Sequence, residues 1–205
     1  MKKSNQNTNT LEHPIDGFWQ KTVIRIIPKW VSPNQLSVVR LLLVPVVLWL
    51  IFERHYPAAL LIFIISVLTD SLDGAIARTR GQITKLGIAL DPLSDKLLIT
   101  GCLVVFLSRY PFPELLASLA FFELTIIAVS MIAVKFMNIK AVPANLFGKA
   151  KMVLESAGLA SIFLWLIFPF NWLLYLSAAL LWLALLFIIL SALKTNQIMA
   201  QAKSI

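Results

Sequence analysis

Cysteine occurs once in the 205 residues, at Cys102 inside an apolar stretch, which leaves no disulfide framework and no thiolate cluster for a metal. It reads as a small hydrophobe packed in the interior. Charge is equally scarce: 14% of the residues are Asp, Glu, Lys or Arg, against about 25% in soluble domains. Only two histidines are present, His13 and His55, and both fall outside the apolar runs, so neither is placed to act as ligand or base. The short alternating segments that a membrane β-barrel requires are missing as well. These shortages exclude a disulfide-stapled domain, a zinc site and an ordinary soluble globule.

What fills the chain instead is apolar: 59% of it is hydrophobic, with a mean hydropathy of +0.84. A bilayer crossing takes about 20 such residues, and with long continuous runs only helices satisfy the backbone in lipid. The expected fold is all-α, a six-transmembrane-helix bundle. Spans are expected at 36–52, 57–77, 88–108, 113–137, 146–169 and 172–193. Residues 1–14 are polar and rich in Asn and Thr, without the apolar core of a cleaved signal peptide, and read as a disordered tail. Between Ile15 and Trp30, apolar residues at near-helical spacing alternate with Lys21, Arg25 and Lys29, the pattern of an N-terminal interfacial amphipathic helix. Residues 15–205 then form a single membrane-embedded domain.

The net charge is +8. In so hydrophobic a chain this points to anionic headgroups and phosphate-bearing substrates, with no nucleic acid as partner. On the expected map, Lys2, Lys3, Lys21, Arg25, Lys29, Arg78, Arg80, Lys85, Lys135, Lys140, Lys149, Lys151, Lys194 and Lys203 fall on one side. Arg54 and Arg109 fall on the other, and Arg40 and Lys96 lie within spans. The positive-inside rule makes this a multi-pass protein of the cell (inner) membrane with both termini cytoplasmic.

Against that background, four of the five aspartates lie between Asp70 and Asp95, at the cytoplasmic ends of the second and third spans. Each carboxylate at membrane depth costs about 2.5–3.5 kcal/mol on insertion scales, so four together call for cations. Asp70 and Asp73 are spaced i, i+3, and Asp91 and Asp95 i, i+4, so each pair projects from one helix face. Two facing pairs of hard oxygens suit two Mg²⁺ or Mn²⁺ ions. Gly74, Ala77 and Gly87 are small residues beside the acids, where a ligand can approach the backbone, and Arg78 can meet phosphate oxygens. Together these suggest a pyrophosphate-bearing substrate.

The run Asp70-x-x-Asp73-Gly74-x-x-Ala77-Arg78, eight residues, then Gly87-x-x-x-Asp91-x-x-x-Asp95 resembles the signature of the CDP-alcohol phosphatidyltransferases at every fixed position. At average residue frequencies a chance occurrence is on the order of 10⁻⁷. The resemblance implies a six-helix membrane enzyme, commonly a homodimer, with its active site facing the cytoplasm. It implies that Asp70, Asp73 and Asp91 are metal ligands and that Asp95 completes the second metal site and acts as general base. It further implies that Gly74, Arg78 and Thr84 line the cytidine diphosphate site. Pro33, Asn34 and Gln35, with the following Leu36, Ser37 and Arg40, are similar to the segment that contributes to nucleotide binding in many members. The implied chemistry is attack of an acceptor hydroxyl on the phosphorus of CDP-diacylglycerol that bears the diacylglycerol, with CMP leaving.

For the acceptor, the cluster Lys135, Lys140, Lys149 and Lys151 suits a small phosphorylated alcohol. The segments 87–96 and Gly148-Lys149-Ala150-Lys151 resemble those of members that accept glycerol 3-phosphate; Lys135, Lys149 and Lys151 are the candidates for the acceptor phosphate, and the alternative for each is ordinary positive-inside charge. Phe122-Glu123 departs from the Arg followed by an acid expected in such members. Alternative acceptors are phosphatidylglycerol, as in cardiolipin synthesis, and inositol phosphate. Arg40 has two readings, a nucleotide contact or a side chain snorkelling to headgroups. Lys96 pairs with a neighbouring aspartate on the simplest reading, and Glu123 and Glu155 are either functional or paired with a basic residue of a neighbouring helix. A divalent-cation transporter and a membrane prenyltransferase are the competing classes: the first wants acids near the bilayer midplane, the second a different spacing.

Overall fold

A computed structural model describes residues 33–80, 85–137 and 146–203. The expected tail (1–14) and interfacial helix (15–30), together with Thr84 and Lys140, lie outside them. The described residues form six helices and no strand: α1 (Pro33–Phe52), α2 (Tyr56–Arg80), α3 (Lys85–Phe106), α4 (Pro113–Met137), α5 (Leu146–Ile167) and α6 (Asn171–Lys203).

Three helices are long and apolar enough to cross a membrane by themselves, over Gln35–Phe52, Phe147–Ile167 and Asn171–Ser191, and Tyr56–Asp70 is a shorter apolar helix. Large apolar side chains point outward all round the bundle, among them Leu42, Trp49, Phe52, Leu61, Phe121, Val153 and Trp182. A soluble protein would bury such residues; their exposure is that of a membrane protein.

α1 packs against α2 and α3, α3 against α4, α2 against α5, and α5 along most of α6. α4 also touches α6, but among the described residues α4 and α5 do not pack on one another. Inside, Phe163 of α5 sits between Phe63 of α2 and Phe106 of α3, with ring centroids 5.4 and 5.0 Å apart. The α5–α6 contact is close at Gly158, where a Cβ would come within 2.7 Å of the buried Leu181 side chain. A larger residue at 158 would force the Leu181 side chain to move.

One end of the bundle is closed by hydrogen bonds. α1 terminates in a Schellman motif, with His55 N–H donating to Leu50 O at 2.8 Å, Arg54 N–H to Ile51 O at 3.1 Å, and Arg54 in the left-handed region at φ 63°. Arg109, just beyond α3, donates to the carbonyls of Ile51 and Phe52, the latter at 3.0 Å. Tyr110 is buried beside it, its hydroxyl 2.7 Å from Ser177 Oγ of α6. Eleven residues of α1 separate Ile51 from Arg40, about 16 Å of helical rise, so Arg40 belongs to the opposite half of the bundle.

The helix limits differ from the sequence-based spans in the charged stretches. α2 runs on from Ala77 to Arg80 before Gly81, and α6 continues ten residues past Leu193. Hydropathy stops counting where Lys194 begins, but Lys-Thr-Asn-Gln-Ile-Met-Ala-Gln-Ala-Lys contains neither Gly nor Pro to end a helix. At about 50 Å, α6 is longer than the roughly 30 Å hydrocarbon layer.

Candidate active site

Arg40 is the one charged residue of α1 and is 1% exposed. A guanidinium in such a place needs partners, because a buried unpaired charge is very costly. Its Nη1 donates to Asp70 Oδ1 at 2.6 Å and reaches Ser94 Oγ at 3.5 Å. Arg40 therefore turns inward and joins α1, α2 and α3 at one point, and the snorkelling reading is corrected: the carboxylate of Asp70 outcompetes distant headgroups. Ser37, one turn earlier on α1, is also buried.

Asp70 keeps 32% of its side chain exposed, and Asp95 follows the buried Ser94 on α3. The two carboxylates act on one another electrostatically, and the charges of Lys151, Arg40 and Glu123 also reach Asp95. The structure thus brings together Asp70 and Asp95, the outermost acids of the two motif halves. Asp73, Gly74 and Arg78 lie on α2, and Asp91 on α3, at the spacings that put each with its paired aspartate on one helix face; their side chains are outside those described. Pro33 and Asn34 open α1, and Gln35 is exposed in its first turn.

A second polar group lies deeper. Lys151 of α5 pairs with Glu123 Oε1 of α4 and, at 3.2 Å, with Glu155 Oε2 one turn along its own helix. Both glutamates are 1% exposed. The partner predicted for them as a basic residue on a neighbouring helix is thus Lys151 for Glu123, and Lys151 also serves Glu155. Lys96 of α3 lies within electrostatic reach of Glu123, Lys151, Asp95 and Glu155, so its environment is shared between aspartate and glutamates. Lys149 is exposed in the first turn of α5, and Lys135 lies in the last turn of α4.

Arg40 and the Glu123–Lys151–Glu155 group are what the motif alone does not reveal. The signal available for both is the same: a charge isolated in an apolar helix has to find a partner.

Among the described residues no three His, Cys, Asp or Glu side chains converge as a metal site. The donors nevertheless suit hard divalent ions. Asp70 and Asp95 are like charges that act on one another, a repulsion that a cation relieves, and among the described residues no histidine or cysteine joins them in a metal-binding group.

The chain belongs to the CDP-alcohol phosphatidyltransferase family, whose profile matches residues 30–190. It is 50% identical over 72 residues to the human cardiolipin synthase (CMP-forming), a stretch covering 35% of this chain and 24% of the human protein. It is 44% identical over 64 residues to the CDP-diacylglycerol–glycerol-3-phosphate 3-phosphatidyltransferase of Aquifex aeolicus, covering 31% of this chain and 36% of that one. The enzyme so named in Cereibacter sphaeroides is 41% identical over 80 residues, 37% of this chain and 36% of its own length. The matched stretches thus span well under half of these relatives.

Proposed function

We propose that the chain transfers a phosphatidyl group from CDP-diacylglycerol to the hydroxyl of glycerol 3-phosphate, releasing CMP, in phospholipid biosynthesis. The observation that carries this reading is the Arg40–Asp70 pair beside Ser94 and Asp95, which gathers the two halves of the aspartate motif at one end of three packed helices. The names of the Aquifex and Cereibacter relatives support the acceptor.

Two divalent ions, Mg²⁺ or Mn²⁺, held by Asp70, Asp73, Asp91 and Asp95, would supply charge neutralisation for the pyrophosphate. The chain's own residues do the rest. Asp95 accepts the proton of the attacking hydroxyl. Arg40 holds the orientation of Asp70. Gly74, Arg78 and Thr84, with Pro33, Asn34 and Gln35, receive the cytidine diphosphate. Lys135 and Lys149 face the acceptor phosphate, joined by Lys151, which has three N–H donors and two carboxylate partners. The reading includes six crossings, the interfacial helix before the first, both termini and the site on the cytoplasmic side, and a homodimer in the cell (inner) membrane.

A second reading takes phosphatidylglycerol as acceptor. It is favoured by the 50% identity to the human cardiolipin synthase and by Lys151, whose charge is already engaged by two glutamates. The protein purified in detergent, with CDP-diacylglycerol and Mg²⁺, is expected to release CMP with glycerol 3-phosphate, with Asp91→Asn as the inactive control. Release with phosphatidylglycerol alone would transfer the assignment to the second reading, and release with neither would refute both.

A further inference from the structure

Glu155 has no role in the reaction set out above, yet it is a carboxylate with 1% exposure in the middle of a membrane helix. Its Oε2 faces Lys151 at 3.2 Å. Its Oε1 is fully buried and has no hydrogen-bond partner among the described residues. Buried polar atoms are nearly always satisfied, so this oxygen calls for a donor beyond those that the described residues provide.

The surroundings say where that donor comes from. α4 and α5 do not pack on one another, and the Lys151–Glu123 pair spans the interval between them. Asp95 and Lys96 of α3 lie within electrostatic reach of Glu155. The Glu155 carboxyl therefore belongs to the same buried charge group as Lys151, the residue proposed for the acceptor phosphate, and its charge also acts on the carboxylate assigned as base. Lys151, at 12% exposure, is the most open member of the group. A carboxyl oxygen that carries no proton accepts hydrogen bonds, so its partner is a donor, and the donors that a glycerol-bearing acceptor brings are hydroxyls.

We infer that Glu155 is a specificity-determining residue that accepts a hydrogen bond from the second, non-reacting hydroxyl of the acceptor, with Glu123 and Lys151 holding its carboxylate in place. The inference rests on the proposed transfer to a glycerol-bearing acceptor. Glycerol 3-phosphate and the headgroup of phosphatidylglycerol both carry a hydroxyl next to the one that reacts, so the site reads the feature the two share.

The test compares acceptors that differ by that hydroxyl. The full chain in detergent, with CDP-diacylglycerol and Mg²⁺, is assayed for CMP release with glycerol 3-phosphate against 3-hydroxypropyl phosphate, and with phosphatidylglycerol against phosphatidyl-1,3-propanediol. A site that hydrogen-bonds a hydroxyl rejects the analogue lacking it strongly, so the wild type is expected to favour the diol by about 100-fold or more in kcat/KM. In Glu155→Met that ratio is expected to collapse to within about threefold, while Glu155→Gln, whose amide oxygen still accepts, keeps part of it. Equal use of both acceptors by the wild type overturns the inference, as does a Glu155→Met protein that loses activity equally on both. If the wild type turns over none of the four acceptors, the functional reading itself has failed, and the inference with it. Glu155→Gln, nearly isosteric, keeps the comparison available should Glu155→Met not fold.

Discussion

Arg40 shows how a single residue can be conspicuous in a sequence and still keep its meaning hidden. Its presence in an otherwise uncharged helix is plain, but its partners Asp70 and Ser94 stand 30 and 54 residues away, and no local spacing encodes that meeting. The aspartates are different, because i, i+3 and i, i+4 spacing on a helix is itself geometry, and so the motif was legible while its Arg40 anchor was not. Lys151 was legible as positive charge, yet the same charge also marks the cytoplasmic side, and only packing reveals Glu123 and Glu155 around it. Replacing Arg40 by Met is expected to reduce CMP release by about 10- to 100-fold, since Asp70 loses the group that orients it. Arg40→Lys should recover only part, because an ammonium lacks the guanidinium fork. The stability loss for Arg40→Met should be about 1–3 kcal/mol, below the cost of breaking a fully buried pair, because Asp70 retains 32% exposure. Thermal unfolding in detergent alongside the activity assay separates the two effects.

Among the elements, the helices whose limits were anticipated best are those bounded by proline or a tight turn. Pro113 begins α4 as its sequence demands. Limits fixed by hydropathy were less secure: α3 starts at Lys85 instead of Ile88, and α6 runs on to Lys203, because apolarity marks where lipid is, not where helical hydrogen bonding stops. The end of α1 is a third case. Arg54 adopts the left-handed conformation that glycine normally supplies, at a cost of about 1–2 kcal/mol for a residue with a Cβ. Arg54→Gly should therefore raise the unfolding midpoint by stabilising the turn about 1 kcal/mol, with transfer activity unchanged, as measured by a melting curve in detergent.

At the scale of the whole molecule, hydropathy and function divide the bundle unevenly. Among the described residues the helices long and apolar enough to cross a membrane are α1, α5 and α6, whereas α2 and α3 carry the aspartates and are less apolar on average. The helices proposed to bear the chemistry are thus the ones hydropathy ranks lower, and it was the spacing of their acids that singled them out. Because those acids repel when uncompensated, removal of divalent ions with a chelator is expected to abolish CMP release, and added Mg²⁺ or Mn²⁺ to restore it. A chelated enzyme that keeps its rate would refute the metal assignment.

The bonds from Arg109 to the end of α1, and from Tyr110 to α6, lie at the opposite end of the bundle from Asp70. α1 and α3 are thus held at both ends, by Arg109 and Tyr110 at one and by Arg40 with Asp70 and Ser94 at the other.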